Sequence, residues 1–310
     1  MDDNLSARQI IAKVVGRLTG DGRQDLQILM QAGQAYASHP EAKAIVLQIG
    51  RLLADRMSPE AKAEIMGAID QAGAGAFESA VEQAEQLIRA GEMKLARNAL
   101  ADILKKYGGI GMELEDALAE YRCLNNEFEE ALYFEIFRPE KPVRQMPYNL
   151  AHVWFRFGLV LLELGELEHA EQALGQAHIA NPIRADYQFE QAEVFKRSGD
   201  LNKVRELTMR AMYVSATEQD MARGYRNLGF VAIERRQWSH AADLYFFSLA
   251  WDDSALQVVE NQLMYIAAKS GKEPNVRTAQ EIERDLAKLG IPVRPSDAVQ
   301  RVLAELDQES

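Results

Sequence analysis

The feature that most constrains this chain is a recurrence of small and bulky residues. From Ala151 the sequence sets Trp154, Phe157-Gly158, Leu161, Gly165, Leu167, Ala170, Leu174, Ala177 and Pro182 at fixed places in a unit of 34 residues. That order describes a strongly apolar helix, a glycine turn and an Ala-punctuated second helix. Gly158 and Ala170 are small where two antiparallel helices must approach closely, and the bulky residues fill the gaps beside them. Gly165 lets the chain turn, and Pro182 cannot continue the second helix. One such hairpin leaves a broad apolar face bare, so it needs neighbours on both sides.

Those neighbours are visible. Upstream, Phe77 is followed by Ala84, Leu87, Gly91, Met93, Ala96, Leu100 and Ile103 at matching offsets, and a weaker unit from Met112 has Leu118-Ala119, Asn126, Phe128 and Ala131. Downstream, one unit starts at Ala185 with Ala192, Phe195, Gly199, Leu201 and Ala211, and another at Ala222 with Tyr225, Leu228-Gly229, Trp238, Ala241 and Tyr245. A degenerate unit near Gln257, with Leu263, Ala267 and Gly271, reads as a terminal cap.

The pattern resembles the tetratricopeptide repeat, with departures at Phe157 for Leu, Leu161 for Tyr and Leu174 for Phe that keep apolar bulk. The resemblance covers roughly residues 77 to 290. It implies an all-α chain: a right-handed superhelical α-solenoid of helical hairpins, with an N-terminal helical segment and a C-terminal capping helix. The expected organisation is an N-terminal helical segment over 1–75, a first repeat pair over 76–137, a Pro-rich connection over 138–150, the main array with its cap over 151–290, and a linker with a short helix over 291–310.

Residues 1–75 lack the 34-residue spacing but read as helices, with apolar spacing at Ile10, Ile11, Val14 and Leu18, a second stretch from Asp25 to Tyr36, and Ser58-Pro59 as a helix start. Arg138 to Leu150 carries three prolines and reads as an extended connection. After Leu289–Asp297, a last helix puts Val299, Val302, Leu303 and Leu306 on one face, with Ser296 as its N-cap.

Charge narrows the partners. A formal charge of −12 repels phosphate backbones, which disfavours nucleic acid. The single cysteine, Cys123, excludes an internal disulfide and fits a reducing compartment. The start of the chain carries two aspartates where a secretory leader has Lys or Arg, and the longest apolar run, Phe157 to Leu162, is far short of a membrane span. A cytoplasmic protein without membrane contact is expected.

Nothing in the sequence marks a catalytic, cofactor or metal site. His169 and His178 are nine residues apart on one predicted helix, the wrong spacing for a metal pair. Cys123 has no histidine nearby in sequence to activate it. The clusters Ala72–Ala76 and Gly108–Gly111 follow no predicted strand and lack the Lys-Ser/Thr of a phosphate loop.

The resemblance instead implies that the first helices line a concave groove for a partner protein or peptide. Carried over residue by residue, the groove positions are His152, Phe155, Leu159, Leu162 and Glu163, then Asp186, Phe189, Glu193 and Lys196, then Arg223, Arg226, Phe230 and Ile233. Co-chaperones of this family that clamp acidic chaperone termini need Lys and Asn where this chain has Phe155 and Leu159, so that branch is rejected. Arg223 and Arg226 could bind a carboxylate. Upstream, Glu78, Glu82, Glu85, Glu113, Asp116 and Glu120 fall on or beside the groove, in a stretch from Phe77 to Phe137 with 13 acidic and 6 basic residues, which favours a basic ligand segment. The expected function is a protein-interaction scaffold. An intracellular peptide-sensing regulator and, more remotely, an enzyme built on the N-terminal segment are the alternatives, and the chain is compatible with a homo-oligomer.

Overall fold

The computed structural model describes residues 5–36, 39–54, 75–108, 119–275 and 277–309. The helix start expected at Ser58-Pro59 lies outside the described residues, as do Glu113 and Asp116. The described chain is mostly helical and falls into two compact units. One holds residues 1–80, 112–121 and 141–144, and the other 81–111, 122–140 and 145–310.

In the first unit, α1 (Ala7–Val15), α2 (Gly22–Ala35) and α3 (Ala42–Ala54) pack around Ile10, Ile11, Val14, Leu29, Ile45, Ile49 and Leu52. Ser6 opens α1 with a reciprocal cap: its Oγ accepts from Gln9 N, while Gln9 Oε1 accepts from Ser6 N at 2.9 Å. Asp25 is buried and accepts from Thr19 N at 2.7 Å and Thr19 Oγ1 at 3.1 Å, as a buried carboxylate requires hydrogen-bond donors. The apolar periodicity of Ala42–Ala54 completes this core with a helix absent from the sequence reading.

In the second unit the helices follow one another in pairs. After helical residues 75–89 (α4), of which 81–89 belong to this unit, and α5 (Met93–Tyr107) come α7 (Leu150–Glu163) with α8 (Leu167–Ala180), α9 (Ala185–Ser198) with α10 (Leu201–Val214), and α11 (Glu218–Glu234) with α12 (Trp238–Leu249). Each pair packs internally, α8 packs on α9 and α10 on α11, and α5 packs directly on α7. The turns share one geometry. Gly91, Gly165 and Gly199 have φ of 76°, 78° and 82°, and the next residue's N–H reaches back five residues: Glu92 to Leu87 O at 2.9 Å, Glu166 to Leu161 O at 2.9 Å, Asp200 to Phe195 O at 3.1 Å. Left-handed backbone is what glycine supplies at such helix ends.

The third pair closes the same way, Gln237 N to Ala232 O at 2.8 Å, but its left-handed residue is Arg236 with φ 58°. A side chain there costs about 1 to 2 kcal/mol, partly offset because glycine loosens the unfolded chain. Arg236→Gly is therefore expected to raise the melting temperature by about 2 °C. A lower melting temperature would show that the arginine side chain contributes more than its backbone costs.

Close approach explains the small residues. A Cβ on Gly158 would sit 2.5 Å from Leu174 Cγ, and one on Gly229 would sit 2.8 Å from Tyr245 Cε2. Ala192, at the same position of the middle pair, is fully buried.

The hairpin expected from Met112 takes another form in its described part. Ala119 is followed by a short strand β1 (Glu120–Arg122), which pairs with β2 (Val143–Gln145) in the proline-rich connection. Residues 138–149 are not helical, and this proline-rich run supplies a ladder: Pro142 O accepts from Glu120 N at 2.9 Å and Arg122 O from Met146 N at 2.9 Å. α6 (Glu127–Phe137), capped by Asn126, then packs on the C-terminal helix α15 (Asp297–Glu309).

The end of the chain accounts for α15. α13 (Leu256–Ser270) packs on α12 after a short 3-10 turn at Asp253–Ala255, and α14 (Ala279–Lys288) also packs on α12, where Arg277 bridges Asp243 at 2.7 Å and Asp285 at 2.6 Å. Gly290, with φ 68°, releases the linker, and Pro292 O accepts from the Tyr225 hydroxyl at 2.7 Å. Ser296 caps α15 by accepting from Val299 N at 3.3 Å. Ala298, Val299 and Val302 are buried, and Arg301 Nε donates to Glu135 of α6 at 3.0 Å.

Candidate functional site

The first helices of successive pairs touch one another, α7 with α9 and α9 with α11. The residues expected in a groove lie along the side of the stack where these helices meet.

Phe155 is half-buried on that side, its ring 4.7 Å from that of Tyr187 on α9. Leu159, also half-buried, lines a cleft of about 210 Å3 with Ile88, Met93, Arg156 and Glu190. Leu162 is buried and lines the same cleft. Phe189 is completely buried, and the Arg223 guanidinium lies 5.0 Å above its ring. Phe189 is a packing residue, because a first helix pressed on by two neighbours turns more than one stripe inward.

Charge on this side is organised in pairs between helices. Glu85 on α4 accepts from Arg156 Nη2 on α7 at 2.7 Å, with His152 Nε2 3.4 Å from the same carboxylate. Burial holds the His152 pKa below its ordinary value against the pull of Glu85, so the ring is neutral near pH 7. Arg197 on α9 donates to Leu162 O at 2.6 Å. Glu190 binds Arg223 at 2.8 Å, and Lys196 donates to Glu193 at 2.6 Å and to Asn227 of α11 at 2.7 Å. Arg226 meets Asp252 at 3.4 Å, and Phe230 is half-buried with Lys196 Nζ 5.3 Å from its ring centre. The two arginines expected to offer a carboxylate fork are thus engaged within the protein.

The acidic residues upstream divide in the same way. Glu78 and Glu82 are exposed on α4, and Arg89 lies 2.6 Å from Glu82. Glu85 is neutralised by Arg156, and Glu120 is half-buried on β1. The acidic run is less uniform than its composition implies.

One cluster escaped the sequence reading. Glu129, one of the 13 acidic residues of the Phe77–Phe137 stretch, is buried, and its Oε2 accepts from Asn125 N at 2.7 Å, Asn125 Nδ2 at 2.9 Å and Asn181 Nδ2 at 2.7 Å. Asn181 is fully buried and also donates to Cys123 O at 2.7 Å. This node ties α6 to the loop between α8 and α9, and the Asn-Pro pair after the second helix is the sequence signal that marks it. Cys123 beside it is buried, and burial raises its thiol pKa, the opposite of a reactive nucleophile.

Among the described residues no three His, Cys, Asp or Glu side chains gather in a way that could hold a metal ion, and no described helix is long and apolar enough to cross a membrane. No family model matches the chain, and no curated protein matches it in sequence.

Proposed function

We propose that this chain is a protein-interaction scaffold of the tetratricopeptide type, working in the cytoplasm as a binding module rather than as an enzyme. In this reading the paired helices of the second unit form a right-handed solenoid, and the side where α7, α9 and α11 meet is its concave groove. The partner is a protein or peptide segment laid along that groove.

The observation that carries the reading is the half-buried pair Phe155 and Leu159. Leu159 lines a cleft shared by Ile88, Met93, Val160 and Leu162, and the charges beside it, Arg156 with Glu85 and Glu190 with Arg223, are paired within the protein, so affinity there comes from burying apolar surface and not from a free ionic clamp. The recurring turn at Gly91, Gly165, Gly199 and Arg236, together with the small-against-large packing of Gly158 on Leu174 and Gly229 on Tyr245, supports repeat architecture independently of any likeness in sequence.

The test is affinity capture from the native cell lysate with the parent chain and with the double variant Phe155→Ser, Leu159→Ser. The expected result is at least a ten-fold loss of the captured partner with the helical signal retained and a melting temperature within about 5 °C of the parent. A large fall in melting temperature would make both residues part of the core and withdraw the groove. Undiminished capture would place the binding surface elsewhere.

A further inference from the structure

α13 is a first helix that no described second helix covers. Counting back seven residues from each left-handed turn residue, Gly165, Gly199, Arg236 and Gly271, gives Gly158, Ala192, Gly229 and Met264. The first three lie against the second helix of their own pair: a Cβ on Gly158 would meet Leu174, Ala192 packs with Val204 and Leu207, and a Cβ on Gly229 would meet Tyr245. Met264 on α13 is instead 61% exposed. After Gly271 residues 272–275 are not helical, and α14 packs on α12. Along the uncovered face, α13 and Phe246 of α12 border a cleft of about 840 Å3, in whose wall Leu263, Met264, Ala267 and Ala268 lie between Glu260 at one end and Lys272 and Glu273 at the other.

A bare face at the end of a row of helix pairs is stabilised by another helix laid on it, and the residues of this face say which one. Met264 is large where its predecessors are small, so the covering helix must be small opposite it. Glu260 and Lys272 stand about three turns apart and form no ion pair with a described residue, so the covering helix must bring opposite charges in the reverse order. α13 run antiparallel to itself meets both demands. In the register that sets Met264 opposite Ala268, Glu260 falls opposite Lys272, and a two-fold axis makes each contact twice. Glu273 falls one place further out, level with the exposed Gln257. The charge of −12 keeps two copies apart over most of the surface, but within residues 256–275 the acids Glu260 and Glu273 are balanced by Lys269 and Lys272.

We infer that α13 is the interface of a homodimer, lying antiparallel on the α13 of a second copy, with Met264 seated over the partner's Ala268 and Glu260 paired with the partner's Lys272. A helix of 15 residues is about 22 Å long and about 10 Å across, so one face offers less than the roughly 800 Å2 per partner of a standard interface, and the dimer is reversible at micromolar concentration. The interface uses α12 and α13, so it stands whether or not the α7–α9–α11 side binds a peptide.

Sedimentation velocity of the full chain at low ionic strength tests this. Between about 1 and 200 µM the average mass is expected to rise from that of one chain toward twice that value. Met264→Asp, at a position already exposed in the single chain, is expected to keep the helical signal and to stay at single-chain mass throughout. Glu260→Lys and Lys272→Glu each turn two attractions into two repulsions and are expected to dimerise about ten-fold more weakly than the parent. An equimolar mixture of these two variants is expected to recover parental dimerisation, because each chain then meets opposite charge at both ends of the seam. Single-chain mass at every concentration, a dimer that survives Met264→Asp, or a mixture that associates no better than its separate variants would each overturn the assignment, the first of them leaving the face to a helix of another protein.

Discussion

Gly158→Val lowers stability by about 3 kcal/mol and the melting temperature by roughly 6 to 12 °C. The cause is the approach of α7 to α8. A Cβ at position 158 meets Leu174 Cγ at 2.5 Å and Cδ2 at 2.8 Å, and beyond the side chain it meets the Leu174 backbone nitrogen at 3.3 Å. The leucine can rotate away, but the backbone cannot without moving one helix from the other. Leu174 is itself fully buried, so a rotated side chain has nowhere equally apolar to go. Combining Gly158→Val with Leu174→Ala should recover part of the loss, because it removes the first clash and leaves only the second. Thermal denaturation of the two single variants and the double variant measures this. An unchanged melting temperature for Gly158→Val would mean that α7 and α8 are farther apart than a 2.5 Å approach to Leu174 Cγ requires.

The second large effect belongs to Asn181. Asn181→Leu is expected to cost about 3 kcal/mol, since it removes one charge-assisted donor from a buried carboxylate and also leaves Cys123 O without its partner. Glu129 keeps its two bonds from Asn125 and has Arg184 Nη1 at 3.5 Å, so the charge is weakened in its support and not abandoned. Pairing Asn181→Leu with Glu129→Leu tests the cause. If the lost support of the carboxylate dominates, the double variant is less destabilised than the sum of the singles by about 1.5 kcal/mol or more. Strict additivity in urea denaturation would show that the two side chains act separately.

The hairpins were legible in the sequence because their signal is local and repeated. Gly165 and Gly199 mark turns by their position alone, and α9 begins at Ala185 where the spacing puts it. α11 begins at Glu218, four residues ahead of Ala222, because Thr217 is available as a cap and its Oγ1 accepts from Asp220 N at 3.1 Å. What the sequence hid depends on contacts distant along the chain. Glu129 has the look of a solvated glutamate among others, and only Asn181, 52 positions on, makes it a buried one. β1 is three residues long, and its pairing partner lies in a proline-rich run whose composition speaks for a loop.

The resemblance to the repeat family assigned the groove positions of the first helices, Phe155 and Leu159 among them. It could not separate a residue open to a ligand from one covered by the next repeat. Phe189 shows the difference, as the aromatic ring in the groove pattern that the neighbouring α11 and its Arg223 close over. Arg223 and Arg226 read as free cations because Glu190 and Asp252 belong to other elements.

Hydroxyl-radical footprinting of the chain, alone and bound to its captured partner, tests the central claim that the side formed by the first helices is the one used. Met93, Phe155 and Leu159 line or flank the cleft on that side, whereas Met264 and Tyr265 are exposed on α13. The account predicts that modification of Met93, Phe155 and Leu159 falls several-fold in the complex while Met264 and Tyr265 react as in the free chain. Unchanged modification of those three residues, with protection on α8, α10, α12 or α13 instead, would contradict it.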